Sequence, residues 1–398
     1  MKTAKLANIA DIQTGPFGSQ LHKEDYVDAG TPIVTVEHLG RRKLSNKNVP
    51  FVSESDAHRL SKYSLEQGDI VFSRVGSVDR CSQVSENEAG WLFSGRCLRV
   101  RPNDSMIDPD YLYYFLTLPK TQEFIRAIAV GATMPSINTS LLGEVDIDLP
   151  PLSEQVGIAK GLGALDDKIS TNVRIINATD SLVDVLYSRV SKMPTEQSFA
   201  EVAQVFGGST PSTKNDAFWD GDINWATPTD ITALGGPWIG DTSRKITEAG
   251  LASMSSSLHP ENSILLTSRA TIGAIALASG PIATNQGFIV VEAPDELTPW
   301  LFAQMKARKR EFEAWANGAT FMELSRGNFK KLPFIGCSDD DLQAFNDAAW
   351  PLLKRAQAAQ KETEVLARTR DELLPLLMSG RITVGEAEDA AGTAASES

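Results

Sequence analysis

Cysteine is scarce in this chain: Cys81, Cys97 and Cys337 are the only three in 398 residues. An odd number without metal-type spacing argues against a disulfide framework or zinc site, fits a reducing cytoplasm, and leaves burial as small apolar residues as the plain expectation. The four histidines, His22, His38, His58 and His259, show neither metal-ligand nor triad pairing. There is no Gly-x-x-x-x-Gly-Lys-Ser/Thr phosphate loop, which speaks against an ATP-driven motor, and no Gly-x-Gly-x-x-Gly turn after a strand. Asn-Pro-Pro-aromatic, which amino-methyltransferases use at a target base, is missing. So is Glu-x-Lys, the usual core of restriction-type nucleases. No stretch approaches the roughly 18 unbroken apolar residues of a membrane span, and Met1-Lys2-Thr3-Ala4-Lys5 leads into polar sequence rather than an apolar signal core. The expectation is a non-catalytic chain that touches no membrane.

Basic charge is also in deficit. Net charge is −13, which by itself opposes nucleic-acid binding, although the excess is heaviest after residue 337. Cations cluster within the remainder: Arg41, Arg42, Lys43 and Lys47; Arg96, Arg99 and Arg101; Lys306, Arg308, Lys309 and Arg310. By count alone such clusters are as readily solvated faces, so charge permits DNA binding without arguing for it.

What the chain does have is repetition. Gly131-Ala132-Thr133 returns as Gly318-Ala319-Thr320, offset by 187; Gly30-Thr31-Pro32-Ile33-Val34 answers to Gly221-Asp222-Ile223-Asn224-Trp225, offset by 191; Ser73-Arg74 answers to Ser268-Arg269, offset by 195. Drifting offsets mean small insertions between two similar modules, not a solenoid of short units. Strand-like runs such as Asp69-Ile70-Val71-Phe72 and Cys97-Leu98-Arg99-Val100 sit between turn residues, and Asp108-Pro109 starts a helix through Leu116 that Thr298-Pro299 matches. Gly15, Gly18 and Gly208 read as turn positions needing positive φ, and Trp219 and Trp225 read as core.

Between and after the modules the period changes. Ser153 caps a helix after Pro150-Pro151, and Ile158, Leu162, Leu165, Ile169, Asn172, Ile176, Val183 and Leu186 recur with 4,3 spacing, as do Leu352, Ala356, Ala359, Leu366 and Leu373 near the C-terminus, with Arg370 intruding. Two such helices of about 40 residues would each be about 60 Å long. Paired antiparallel, they would be a stiff spacer; the alternative is that each packs on its own module. Pro351 and Pro375 predict a kink or break at each end of the second helix.

These residues resemble a known family, the DNA specificity subunits of type I restriction-modification systems. The resemblance rests on Gly15-Pro16-Phe17-Gly18-Ser19-Gln20-Leu21; on Gly208-Ser209-Thr210-Pro211-Ser212 with Phe218-Trp219-Asp220-Gly221-Asp222-Ile223-Asn224-Trp225; on the junction Leu149-Pro150-Pro151-Leu152-Ser153-Glu154-Gln155; and on Arg370-Asp371-Glu372-Leu373-Leu374-Pro375-Leu376-Leu377. The second module departs from it, with Cys337-Ser338-Asp339-Asp340-Asp341 where a second Pro-Pro junction would stand.

The resemblance implies an α+β chain: two similar α/β target recognition domains separated by two long helices forming an antiparallel coiled coil. The expected boundaries are 1–150, first recognition domain; 151–194, central helix; 195–337, second recognition domain; 338–382, C-terminal helix; and 383–398, a disordered acidic tail. It implies recognition of a bipartite, asymmetric double-stranded DNA site, with docking of two methyltransferase subunits and of restriction-translocase subunits. S-adenosylmethionine, ATP and Mg would sit on those partners and no cofactor on this chain. A protein-interaction scaffold that does not bind DNA is the alternative.

Base and phosphate readout needs cations, amides and hydroxyls. The candidates are Ser19, Lys23, Arg41, Arg42, Lys43, Arg74, Arg80, Ser136 and Asn138 in the first module. In the second they are Thr210, Ser212, Thr213, Lys214, Arg244, Lys245, Arg269, Ser325, Arg326 and Asn328.

Overall fold

A computed structural model describes residues 2–316 and 322–386. The Gly318-Ala319-Thr320 repeat and most of the 383–398 tail lie outside the described residues. The chain forms two compact units, one built from residues up to 167 with those from 367 on, the other from residues 168–366. The boundary cuts both long helices. The helices therefore belong to the units' cores as well as to each other, where the sequence suggested separate spacer segments.

In the first unit Ile70–Ser73 is buried along its whole length and lies centrally in an antiparallel sheet, ordered Ala10–Thr14, Cys97–Pro102, Ile70–Ser73, Cys81–Gln83. A strand covered on both faces reads as a continuous apolar run, as Ile-Val-Phe does here. A smaller sheet ends with Thr31–Val34 parallel to Leu92–Phe93. Asp108 accepts the Tyr111 N–H at 2.8 Å and Pro109 takes the first position of helix Pro109–Leu116, as the sequence predicts. That helix packs with Phe72, Leu98 and Val100 against Ile158, Leu162, Leu373 and Leu377 of the long helices.

The second unit repeats the plan. Gln204–Gly207, Phe288–Glu292, Ile264–Thr267, Ile275–Ala278 and Trp238–Ile239 form its main sheet, and Trp219–Ala226 pairs in parallel with Ala283–Thr284. Val183, Tyr187, Phe345 and Leu353 of the long helices close this core.

The long helices run Leu152–Arg189 and Asp339–Met378, 38 and 40 residues. The start of the first lies with the end of the second in one unit, and its end with the start of the second in the other, so they pair antiparallel. Ile158, Leu162, Asn172, Ile176, Val183, Ala356, Ala359 and Leu373 are buried, while Leu165, Ile169, Leu186, Leu352 and Leu366 are half-buried. Tyr187 and Leu353, each one residue beyond an expected seam position, are the deeper members, because the stripe faces a module as well as a helix. Asn172 is fully buried and donates to Glu362 at 2.8 Å, a polar contact of the kind that fixes register.

Two expectations need correction. Ser153 does not cap the first helix but lies inside it; the Pro151 carbonyl accepts the first helical N–H groups, and Gln155 anchors the start through the Asp108 N–H and the Pro150 carbonyl. At the other helix Ser338 accepts the Asp341 N–H at 3.2 Å, so a cap replaces the Pro-Pro junction. Pro351 and Pro375 do not break the second helix: both are exposed, and the carbonyls they deprive of a partner can be hydrated.

Sheet register also moves the repeat. Ile70 pairs with Val100 and Ile264 with Val291. Arg74 N–H bonds the Arg96 carbonyl and Ser268 N–H that of Gly287, both at 2.8 Å. Ile137 N–H bonds Arg74 and Leu324 N–H bonds Ser268. Arg74 therefore corresponds to Ser268, and Arg269 to Val75, one residue away from the sequence alignment. Likewise Ile33 corresponds to Trp225 rather than Asn224, because the long strand carries an irregularity between Trp219 and Ile223.

Candidate nucleic-acid interface

Half of the expected basic contacts in the first unit are turned to its helices. Arg41 meets Asp371 at 2.5 Å. The Arg42 N–H donates to the Tyr113 hydroxyl at 2.6 Å, and its guanidinium reaches the Gly163 carbonyl at 3.1 Å, Asp167 at 3.3 Å and Asp110 at 3.7 Å. Lys43 lies 3.7 Å from Asp167, and Arg80 donates to the Leu39 carbonyl. Below them Arg370, 4% exposed, is paired with Asp166, which also accepts the Tyr114 hydroxyl at 2.6 Å. Burial opposes ionisation of Asp371, but Arg370 and Arg41 outweigh it and hold the carboxyl below its usual range. The Arg41–Lys43 loop is thus an ionic clamp.

A second group gathers around Arg74. Its guanidinium donates to the Gly95 carbonyl at 3.0 Å and lies 5.9 Å from the Phe17 ring. Ser136 donates to the Val130 carbonyl at 3.1 Å, and its backbone bridges to Val75. Asn138 caps the helix Thr139–Gly143 through the Leu141 N–H. Lys23 is exposed and has no ion pair among the described residues, while the Ser19 side chain lies outside the described residues. Gly18 has φ +60°, as a turn glycine should, but Gly15 does not: a Cβ there would lie 2.2 Å from the Ser94 carbonyl oxygen. Gly208 is the same, 2.1 Å from the Asn285 carbonyl oxygen. Close backbone approach, not positive φ, requires both glycines.

The corresponding face of the second unit carries Thr210, whose hydroxyl donates to the Gln286 carbonyl oxygen at 2.6 Å. Arg326 runs along Gly207, Ser325 caps helix Arg326–Lys331 through the Asn328 N–H, and Arg269 bridges through its backbone to Glu323. Arg244 stacks 3.6 Å over Trp219, whose indole N–H bonds the Ser212 carbonyl. Trp219 and Trp225 are buried, as expected. Thr213 and Lys214 are exposed beside them, and Lys245 is paired with Asp241 at 3.1 Å. Asp230 is held low because the Thr227 hydroxyl and the Ser243 and Thr227 N–H groups outweigh its burial.

A family model, the type I restriction modification DNA specificity domain, matches this chain twice, over residues 1–179 and 196–335. The chain belongs to that family. It is 32% identical over 191 residues to the type I restriction enzyme MjaIX specificity subunit of Methanocaldococcus jannaschii, covering 46% of this chain and 44% of the relative. It is 23% identical over 398 aligned positions to the putative MjaX specificity subunit of the same organism, covering 91% and 89%. The S subunit of a type I restriction-modification system from M. genitalium shares the fold, with a TM-score of 0.63 at 16% identity over 94% of this chain and 95% of that one.

A DNA specificity family, with relatives that are specificity subunits, agrees with the expectation of a non-catalytic chain. Burial pushes the Cys81 and Cys97 thiols up to about 12, and Cys337 is half-buried. Among the described residues no cluster of His, Cys, Asp or Glu could hold a metal ion, and no helix is long and apolar enough to cross a membrane. Sequence reasoning assigned no contact to Phe17 or Gln286, nor to the carboxylates Asp167 and Asp371 that pair with the basic loop. Phe17 lay within a quoted motif; the acidic partners gave no local signal, being more than a hundred residues away in the chain.

Proposed function

We propose that this chain is the DNA-reading subunit of a type I restriction-modification complex, each unit contacting one half of a split, asymmetric site. The observation that carries this is the duplication itself. One backbone frame, matched twice by a DNA specificity family, presents different side chains at equivalent positions: Phe17 and Gly95 in one unit, Thr210 and Gln286 in the other. A constant frame with variable contacts is what independent reading of two half-sites requires. The cations left for phosphate are Lys23, Arg74, Lys214, Arg269 and Arg326, while Arg41, Arg42 and Lys43 serve the clamp. The long helices would set the gap between half-sites and dock two methyltransferase subunits, with restriction-translocase subunits joining that assembly. S-adenosylmethionine, ATP and Mg would act on those partners, and the complex would work in the cytoplasm.

The test is a methylation map. The chain is co-expressed with its cognate methyltransferase in a methylation-free host, and modified adenines are located by long-read sequencing. A split motif that disappears without this chain supports the reading. An active methyltransferase that co-purifies with the chain yet marks no motif would favour a scaffold that does not bind DNA, which the net charge of −13 would suit.

A further inference from the structure

Apolar side chains exposed beyond 60% are rare in the described residues, and they share one corner. Phe17 is 64% exposed, Val130 62% and Met134 67%, against at most 50% for any other large apolar side chain described. Phe17 lies against Arg74, and the loop carrying Val130 and Met134 is bonded to the backbone of Arg74 and Gly76 through Ile137 and Pro135. The Arg74 guanidinium binds the Gly95 carbonyl and lies over Phe17; the Arg74 carbonyl accepts the Ile137 N–H at 2.9 Å; and Gly76 N–H bonds the Pro135 carbonyl at 2.8 Å, tying down the loop that carries Val130 and Met134.

The Phe17 loop is held as well as exposed. A Cβ on Gly15 would strike the Ser94 carbonyl, and one on Gly95 would lie 2.4 Å from the Pro16 carbonyl oxygen and 2.9 Å from the Phe17 Cβ. Two glycine contacts therefore fix the backbone on both sides of an aromatic ring that the core does not use. An exposed apolar patch this concentrated marks a binding surface. Its partner must accept a cation beside an apolar edge.

We propose that Phe17, flanked by Val130 and Met134, is an apolar wedge that packs against the bases of the first unit's half-site and partly unstacks one step, with Arg74 on the adjoining phosphate. The proposal rests on the DNA-reading function above. Proteins that deform DNA pair apolar wedges with neighbouring cations in this manner. Among the described residues the second unit shows no such wedge: Thr210 and Gln286 occupy the place equivalent to Phe17 and Gly95 and bond to each other.

The test uses the full chain in complex with its methyltransferase and duplexes of the mapped site carrying 2-aminopurine in turn at each adenine and each position next to the split. Wild-type complex should raise fluorescence at one step of one half-site. Phe17→Ala should abolish that rise and weaken binding about ten-fold, the scale of one lost base–aromatic contact. Phe17→Leu, still apolar, should retain most of both. A Phe17→Ala complex with wild-type affinity and signal overturns the wedge while leaving DNA reading intact. A Phe17→Ala chain that loses its methyltransferase also overturns it, placing the patch at a protein interface. Wild-type complex that recognises no split site removes the DNA-reading function and the wedge together.

Discussion

Lys43 and Trp238 stand at the same step of the same sheet edge, each in parallel register with the neighbouring strand, at Gln83 in one unit and Leu277 in the other. Lys43 and Arg42 hold their loop to the long helices through Asp167 and Arg41 does so through Asp371, while Arg42 also reaches Asp110 of the helix Pro109–Leu116. Trp238 does the same job while almost wholly buried, its indole N–H on the Leu353 carbonyl at 2.8 Å and its backbone clasped by Gln360. The difference extends beneath the loop, where one unit buries the Arg370–Asp166 pair and the other packs Val183 and Leu353. The fold fixes what a position must do, and either ions or an aromatic ring can do it. A basic triplet is therefore no guide to the DNA face until its carboxylate partners are located.

The sharpest way to break the comparison is Trp238→Ala. Removing a fully buried tryptophan costs about 3–5 kcal/mol, and chemical denaturation should show the second unit unfolding early while the first keeps its midpoint. Arg370→Leu alone should cost about 3 kcal/mol, because it strands Asp166 in the interior. The triple change Arg370→Val, Asp166→Leu and Tyr114→Phe, which gives the first unit the apolar solution of the second, should return stability to within about 1 kcal/mol of wild type or above it. A triple variant as unstable as the single one would show that the ion pair carries a requirement of its own.

Arg42→Ala should lower the first unit's stability by about 2 kcal/mol, the value of charge-assisted hydrogen bonds. Its effect on the salt slope of DNA binding should be smaller than that of Arg74→Ala, which is expected to reduce the slope by about one; equal slopes would return the triplet to the DNA face.

Acid should separate the units too. Asp371 has a depressed pKa, so its contribution is present above the unfolded-state value near about 4 and is lost as pH falls through the lower folded-state value. Hydrogen exchange in the 39–44 loop should be unchanged between pH 7 and 5 once corrected for intrinsic rates. It should accelerate below about pH 4, while the Trp238 segment, held by Gln360, should not follow.

The smallest effect concerns the turn after Arg74. Gly76 has φ +77° and its counterpart Ala270 has φ +63°. Ala270→Gly should stabilise the second unit by about 1 kcal/mol, and Gly76→Ala should destabilise the first by a similar amount, read from denaturation midpoints.

Much of this architecture was legible from residues alone. Asp108-Pro109 starts its helix, the 4,3 stripe from Ile158 to Val183 is a seam, and Trp219 and Trp225 are core, because each depends on local periodicity or capping. The repeat was legible as well, but two of its three anchors were one residue out of register. Motif matching cannot see the irregularity in Trp219–Ala226 or the bond that sets Arg74 against Arg96, and a slip of one residue exchanges the two faces of a strand. Of the candidate contacts, Ser136 bridges to Val75 beside Arg74, whereas Arg41, Arg42 and Lys43 pair with acidic side chains on the helices.

The sequence by itself determined the elements, their duplication and the family, since these rest on patterns within a few turns of chain. Only the tertiary structure decided which cations are spent on Asp166, Asp167 and Asp371 and which apolar side chain, Phe17, is left in the open. Coulombic pairing and burial depend on distance in space, and these partners meet across spans of chain that no local pattern encodes.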